Sequence, residues 1–341
     1  MRKTFLSLFS FFAFLMMFNA CSTDVDLYAD YKDITVVYGL LDSGADTNYI
    51  KINKAFLGPG NALNIALIDD SCNYPGKLDA KLLEYRASAG GTHYEQTNTF
   101  QLDTLTVHNK DLGIFYAPDQ LVYYTTQRIK PNNNQYQYRY ELQIDRGDTI
   151  ISALTDIVGG GSFYIPQGSL NFSSSANTGT VNWSPCPYAA VYEVVIRFHF
   201  VEVSPALDSV ERCLTWPLGA HSESELTLEN GIYGVPFKAS LFFYHLASML
   251  GDDTLNNNIQ RLIYEPSLDV SIAAGGDELY NFITVNGPTN SIVQTIPEYT
   301  NVKGGYGVLS SRTMLTKRMR LSGNTIPELV SREYWHFKQV K

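Results

Sequence analysis

Positive charge is scarce in this sequence: 25 Lys and Arg stand against 34 Asp and Glu, a net charge of −9. Binding to nucleic acid needs a basic face for the phosphates, so that class is set aside. Cysteine is scarce as well, with four residues and no Cys-x-x-Cys. Six histidines (His93, His108, His199, His221, His245 and His336) stand apart from one another and from every cysteine, which leaves no ligand spacing for structural zinc. There is no Gly-Lys-Ser/Thr phosphate loop and no Gly-x-Ser-x-Gly nucleophile elbow. No carboxylate pair stands out as the acid and base of a glycosidase. The expectation is a protein that is not an enzyme and takes no cofactor and no metal.

Long apolar runs are missing too. The longest, Phe5 to Phe18, is interrupted by Ser7 and Ser10 and falls short of the roughly 20 residues that cross a bilayer. Arg2-Lys3 precede it and Asn19-Ala20-Cys21 follow it, the layout of a secretory signal peptide over residues 1–21. Phe18-Asn19-Ala20-Cys21 resembles a bacterial lipobox, with Phe where Leu is usual. That resemblance implies lipidation of Cys21, an outer-membrane location, and the membrane itself as a partner through the anchor. Cleavage there removes two cations and no acid, so the mature chain carries −11.

What is abundant is aromatic: 23 Tyr and 18 Phe, with only 17% charged residues, a balance that favours strands. About 320 mature residues exceed one ordinary core, so two domains are expected. Residues 22–33 carry four Asp and read as a tether. Ile34–Leu41 and Tyr49–Phe56 read as a hairpin around the Asp42–Asn48 turn, and Leu63–Ile68 and Ala80–Ala87 as further short strands. In Tyr136–Asp145, Tyr136, Tyr138, Tyr140, Leu142 and Ile144 alternate with polar residues. Strict period two means a strand with one buried and one wet face, so these tyrosines are read as core rather than as a platform for sugar rings. An Ig-like sandwich is expected over residues 34–158, a Gly-rich linker over 159–168, and a second β domain over 169–341. Ala239, Phe242, Phe243, Leu246, Met249 and Leu250 then fall at helical spacing before Gly251. With a shorter helix from Asp277 to Ile283, they predict a helical insertion near 238–283. The fold class is thus mainly β, two sandwiches with a small helical insertion in the second.

Two resemblances refine this reading. The Trp183 strand followed by the alternating Tyr192–Phe200 strand resembles the B and C strands of fibronectin type III domains. Phe242–Gly251, then Leu268–Ile272 with Gly275–Tyr280, then Tyr299–Arg312 resemble the C-terminal half of a family of Bacteroidota outer-membrane lipoproteins. The late motif of that family, approximately YTN-I-x-N-G-x-G-I-F, is met by Tyr299, Thr300, Asn301, Gly304 or Gly305, and Gly307, with Leu309 in place of Phe. The resemblance implies an envelope location and a two-part architecture, and brings no catalytic residues with it.

Lesser signals complete the inventory. The Asn301–Arg312 glycines read as a strand-to-strand turn with positive φ. Arg146-Gly147-Asp148 copies an integrin-binding tripeptide, yet lies where a tight turn is needed. Asp-Ser/Thr-aliphatic triplets resemble the O-glycosylation acceptor of exported Bacteroidota proteins and make Thr104, Thr149, Ser209 and Thr254 candidate acceptors. After Cys21 three cysteines remain, with Cys186 and Cys213 as a candidate disulfide. These observations lead to a non-enzymatic binding lipoprotein, with an outer-membrane protein or a glycan as partner and a place beside a TonB-dependent uptake complex. The alternative is a fimbrial subunit that donates a strand after cleavage near Arg86 or Arg128.

Overall fold

A computed structural model describes residues 32–57, 61–108, 111–117, 119–164, 168–251, 259–287 and 298–340. About half of the chain is strand, and two sandwiches are built on two hydrophobic cores.

The hairpin of β1 (Lys32–Asp42) and β2 (Asn48–Leu57) forms as expected, running from Lys32 opposite Leu57 to Gly39 opposite Ile50. Asn48 closes its loop: its Oδ1 accepts from the Asp42 amide at 2.6 Å and its Nδ2 donates to the Asp42 carbonyl at 3.2 Å. Leu63–Ile68 does not form the expected strand. Two short helices, α1 (Ala62–Ala66) and α2 (Asp69–Cys72), lie there instead. The Asn61 side chain caps the Leu63 amide, and Asp69 and Asp70 occupy the first turn of α2, so local capping decides an apolar run that periodicity leaves ambiguous. Then follow β3 (Asp79–Ser88), β4 (Glu95–Gln101), β5 (Asp103–Val107), β6 (Gln120–Thr125), β7 (Tyr136–Asp145) and β8 (Ile150–Asp156). Strands β5-β6-β2-β1 make one sheet and β4-β3-β7-β8 the other. Leu41, Ile50 and Tyr123 from the first meet Leu82, Tyr140 and Leu142 from the second. Strand β7 alternates as its sequence predicts, with Tyr138, Tyr140, Leu142 and Ile144 buried.

The Gly159–Gly168 stretch is no free linker. Ile157 and Val158 are fully buried, and the Gly159 amide donates to the Pro187 carbonyl at 2.8 Å. A Cβ on Gly161 would come within 2.8 Å of both Cys186 Sγ and the Ser184 carbonyl. Close approach of two segments, rather than flexibility, requires the glycine there.

The rest of the chain forms β9 (Ser169–Leu170), β10 (Thr178–Trp183), β11 (Val191–Val203), β12 (Ser209–Ser222), β13 (Tyr233–Lys238), α3 (Ser240–Leu250), β14 (Gln260–Tyr264), β15 (Leu268–Gly275), α4 (Asp277–Asn286), β16 (Val302–Lys303), β17 (Tyr306–Leu321), α5 (Thr325–Ser331) and β18 (Phe337–Val340), which apart from β16 and the start of β17 build the second sandwich. Its main sheet runs β12-β11-β15-β17, with β10-β13 in a separate sheet. The Trp183 and Tyr192 strands therefore lie in different sheets, with ring centroids 5.4 Å apart, as the B and C strands of such a sandwich do. Both expected helices form. Between them β14 and β15 are members of the main sheet, so the helical insertion is minor and consists of the two helices on either side of these strands.

Strand β17 corrects the domain boundary. Its residues Gly275-facing Arg312 to Met319 pair antiparallel with β15, while Tyr306 to Arg312 pair in parallel with β1. Strand β16 pairs with β8, and Val302 and Leu309 belong to the first core. The first sandwich is thus residues 32–158 completed by 302–312. Sequence pattern reveals a strand but not a partner so far along the chain. The motif residues serve this junction. Asn301 Nδ2 donates to the carbonyls of Leu154 (3.1 Å) and Leu309 (2.7 Å), and its Oδ1 accepts from the Leu309 amide at 3.0 Å. Gly307, at φ 106°, lies where any Cβ would overlap the Val37 carbonyl. The expected positive-φ turn is present, and its glycine admits β1.

Candidate functional site

The wet face of β7 faces a walled groove. Because side chains alternate, Gln137, Arg139 and Glu141 point away from the core. Across the strands, Tyr85 lies opposite Arg139 and Arg139 opposite Asp156; Glu141 lies opposite Leu154. Tyr94, just before β4, stands on one side. On the other, Thr300–Lys303 form a rim, and Tyr188 projects from the loop before β11. The result is a cleft of about 590 Å³ adjoining one of about 380 Å³, with Tyr94 and Arg139 lining both.

The groove side chains are held before any ligand arrives. Tyr85 Oη donates to Glu141 Oε2 at 2.9 Å, and Tyr94 Oη donates to Gln137 Oε1 at 3.1 Å. The Arg139 guanidinium lies 4.2 Å from the Tyr94 ring centroid, and its Nε is 2.5 Å from Asp156 Oδ1. Burial pushes the Tyr85 phenol above its usual range, and donation to the Glu141 carboxylate adds to that. Burial raises Tyr94 as well. The hydrogen bond to Asp156 raises Arg139. Tyr85 and Tyr94 therefore stay neutral and Arg139 stays charged at neutral pH. The array offers flat ring faces, a fixed cation and a carboxylate, with no nucleophile paired to a base. It is equipped to hold a polar ligand that has apolar faces.

Other sites expected from sequence fare differently. Cys21 and Thr254 lie outside the described residues. Thr149 and Ser209 are exposed at strand starts or turns, and Thr104 is half-buried on β5. The Cys186–Cys213 disulfide does not form: both thiols are free. Cys186 lies beneath Tyr192, whose hydroxyl accepts from its amide at 3.0 Å. Cys213 is exposed on β12 opposite His199, seven residues along β11 from Tyr192. That register places Cys213 about 23 Å along the strand from the level of Tyr192 and on the opposite face of the sheet from the Tyr192 ring. Burial pushes the Cys186 thiol up to about 12, so it is chemically quiet.

Arg146-Gly147-Asp148 is a closed turn, with the Arg146 amide donating to the Thr149 carbonyl at 3.1 Å. Its guanidinium turns inward over the Tyr74 ring toward Asp33. His245 packs on Trp216 at 5.4 Å. Arg86 and Arg128 are exposed, one within β3 and the other beyond β6. Among the described residues no three His, Cys, Asp or Glu side chains gather as metal ligands, and no helix is long and apolar enough to cross a membrane. The chain matches no protein-family model and no curated protein.

The sequence hides the groove for a physical reason: the tyrosines that alternate along β7 face the core. The groove tyrosines come from three separate segments, and only the polar half of the β7 alternation hinted at them.

Proposed function

We propose that this protein is a lipid-anchored, non-catalytic binding protein of the bacterial outer membrane, and that the groove across β7 holds an oligosaccharide. The signal segment and Cys21 support the anchor, and with it the likeness to Bacteroidota envelope lipoproteins. The preorganised Tyr85, Tyr94, Arg139 and Glu141 set carries the ligand reading. Pyranose rings present C–H faces to aromatic rings and hydroxyls to charged groups, and an open groove suits a chain of them. Service beside a TonB-dependent transporter fits a surface that captures but does not cut. The strand-donating alternative draws less support: cleavage at Arg86 or Arg128 removes β1 and β2 together, not one strand.

Calorimetric titration of the purified mature chain against a panel of neutral and acidic oligosaccharides tests the ligand. Tyr94→Ala and Glu141→Ala should each weaken the best ligand about tenfold or more, about 1.4 kcal/mol. Unfolding midpoints should barely move, because both side chains are partly exposed. Binding that is indifferent to both substitutions would sink the groove assignment.

A further inference from the structure

The opposite face of the first sandwich carries a group of exposed large apolar side chains. Leu63, Leu67 and Ile68 project from α1 and the turn after it, and Leu112, Ile114 and Phe115 from the connection between β5 and β6. Leu112 is 91% exposed and Ile114 61%. The two segments are stitched together, the Tyr116 amide donating to the Ala66 carbonyl at 2.8 Å. Between them they enclose a cavity of about 560 Å³ floored by Val36 and Ala55 on the outer face of β1-β2. Single exposed apolar residues are ordinary; six on one patch mark a contact surface.

Its position says what it contacts. Lys32 opens β1 opposite Leu57, and α1 begins five residues after Leu57. Val36 is four residues along β1 from the tether, about 13 Å. From Cys21 to Lys32 the chain can span at most about 37 Å. Lys51 and Lys54 line the cavity, but exposed Asp69, Asp70 and Asp111 flank it, so the patch carries no net positive charge to draw it to an anionic surface. The groove lies on the outer face of the other sheet and points the opposite way.

We infer that this patch is a membrane-seating face. In the anchored protein Leu63, Leu67, Ile68, Leu112, Ile114 and Phe115 enter the bilayer interface, which turns the oligosaccharide groove away from the membrane. The inference rests on the lipid anchor proposed above for bringing the patch to the bilayer.

The test replaces the native lipid so that the two readings separate. The chain from Ser22 to Lys341, with an N-terminal histidine tag, is held on phosphatidylcholine vesicles by a nickel-chelating lipid. An environment-sensitive dye is placed at Leu112→Cys in a Cys213→Ser background; Leu112 is exposed enough for the fold to ignore the change. Expected are a blue-shifted emission and quenching by brominated acyl chains. The same dye on native Cys213, in the other sandwich, should stay in water. Leu63→Asp with Phe115→Asp should lower flotation of the untagged chain with these vesicles about tenfold. Added phosphatidylglycerol should not strengthen it. Water-like emission from position 112 on the tethered chain overturns the inference. So does a blue shift without vesicles that grows with protein concentration, which would assign the patch to a second copy. Whether Cys21 is lipidated is read separately, from the mass of the native mature N-terminus.

Discussion

At the centre of the second sandwich Phe242 stacks on Phe172, ring centroids 4.5 Å apart, with Phe198 and Phe243 edge-on around it. The first sandwich instead carries a buried carboxylate beside its apolar core. Glu84 is fully buried. Its Oε1 accepts from Thr97 Oγ1 (2.6 Å), Asn98 Nδ2 (2.7 Å) and Lys130 Nζ (2.9 Å), and its Oε2 from Tyr140 Oη (2.7 Å). The ladder itself is adjusted for this: pairing of β3 with β4 skips Thr97, which turns its hydroxyl to the carboxylate. Aromatic contact is indifferent to pH, whereas a satisfied buried anion ties the local register to specific donors and is sensitive to acid. The sandwich with the specified core is also the one that carries the β7 groove on one outer face and the exposed apolar patch on the other.

Breaking the aromatic side of this contrast should cost most. Phe242→Ala removes the stack and leaves a cavity, for a loss of about 3–5 kcal/mol in urea unfolding. A loss below about 1 kcal/mol would mean that the ring is peripheral to that core. Glu84→Gln, on the polar side, should cost about 2 kcal/mol, because the amide presents a donor to a ring of donors.

The pH dependence sharpens the contrast. Burial alone would raise Glu84, but its hydrogen bonds from Thr97, Tyr140, Lys130 and Asn98 outweigh that and hold it below the usual range. A group depressed on folding contributes stability above the unfolded carboxylate value of about 4.3, and that stability is lost as pH falls through the folded value. Acid unfolding of the wild type should therefore be steeper than that of Glu84→Gln. An equal slope in the two would remove Glu84 as the acid-sensitive group.

Glu278, at the start of α4 where the sandwiches meet, should behave in the opposite sense. Burial raises it, despite hydrogen bonds from Thr155 (3.1 Å) and Ser310 (3.3 Å). Its favourable state is the protonated one, present at low pH and lost as pH rises through the folded value. Glu278→Gln should thus hold or slightly raise stability at neutral pH, by under about 1 kcal/mol. Clear destabilisation at neutral pH would show that the ionised carboxylate is wanted there.

Local pattern carried the parts of the fold that depend on neighbours in sequence. The β7 alternation, the α3 apolar face and the β1-β2 hairpin were legible because burial of one face dictates their spacing. Gly159 and Gly161 misled because the same residue serves flexible linkers and close packing. The pairing of Val36 with Tyr306 left no local trace, since a parallel partner can lie anywhere along the chain. The groove was half legible: Arg139 and Glu141 declared themselves as outward, but its walls come from Tyr94, Tyr188 and Thr300–Lys303. The apolar patch was hidden by reading Leu63–Ile68 as a strand, when capping at Asn61 makes it a helix with one exposed side.

The shared strand β17 sets an order of events for a chain that travels from its N-terminus. When β1 emerges it has β2 beside it, but its other edge waits for Tyr306–Arg312. Until that strand arrives, β1 presents an open row of amides and carbonyls, the kind of edge on which chains stick to one another. Long-range closure of this sort is slow as well as late. The first sandwich to be synthesised is therefore the last to be finished, and a chain built this way needs its early strands shielded until nearly all of it has been made.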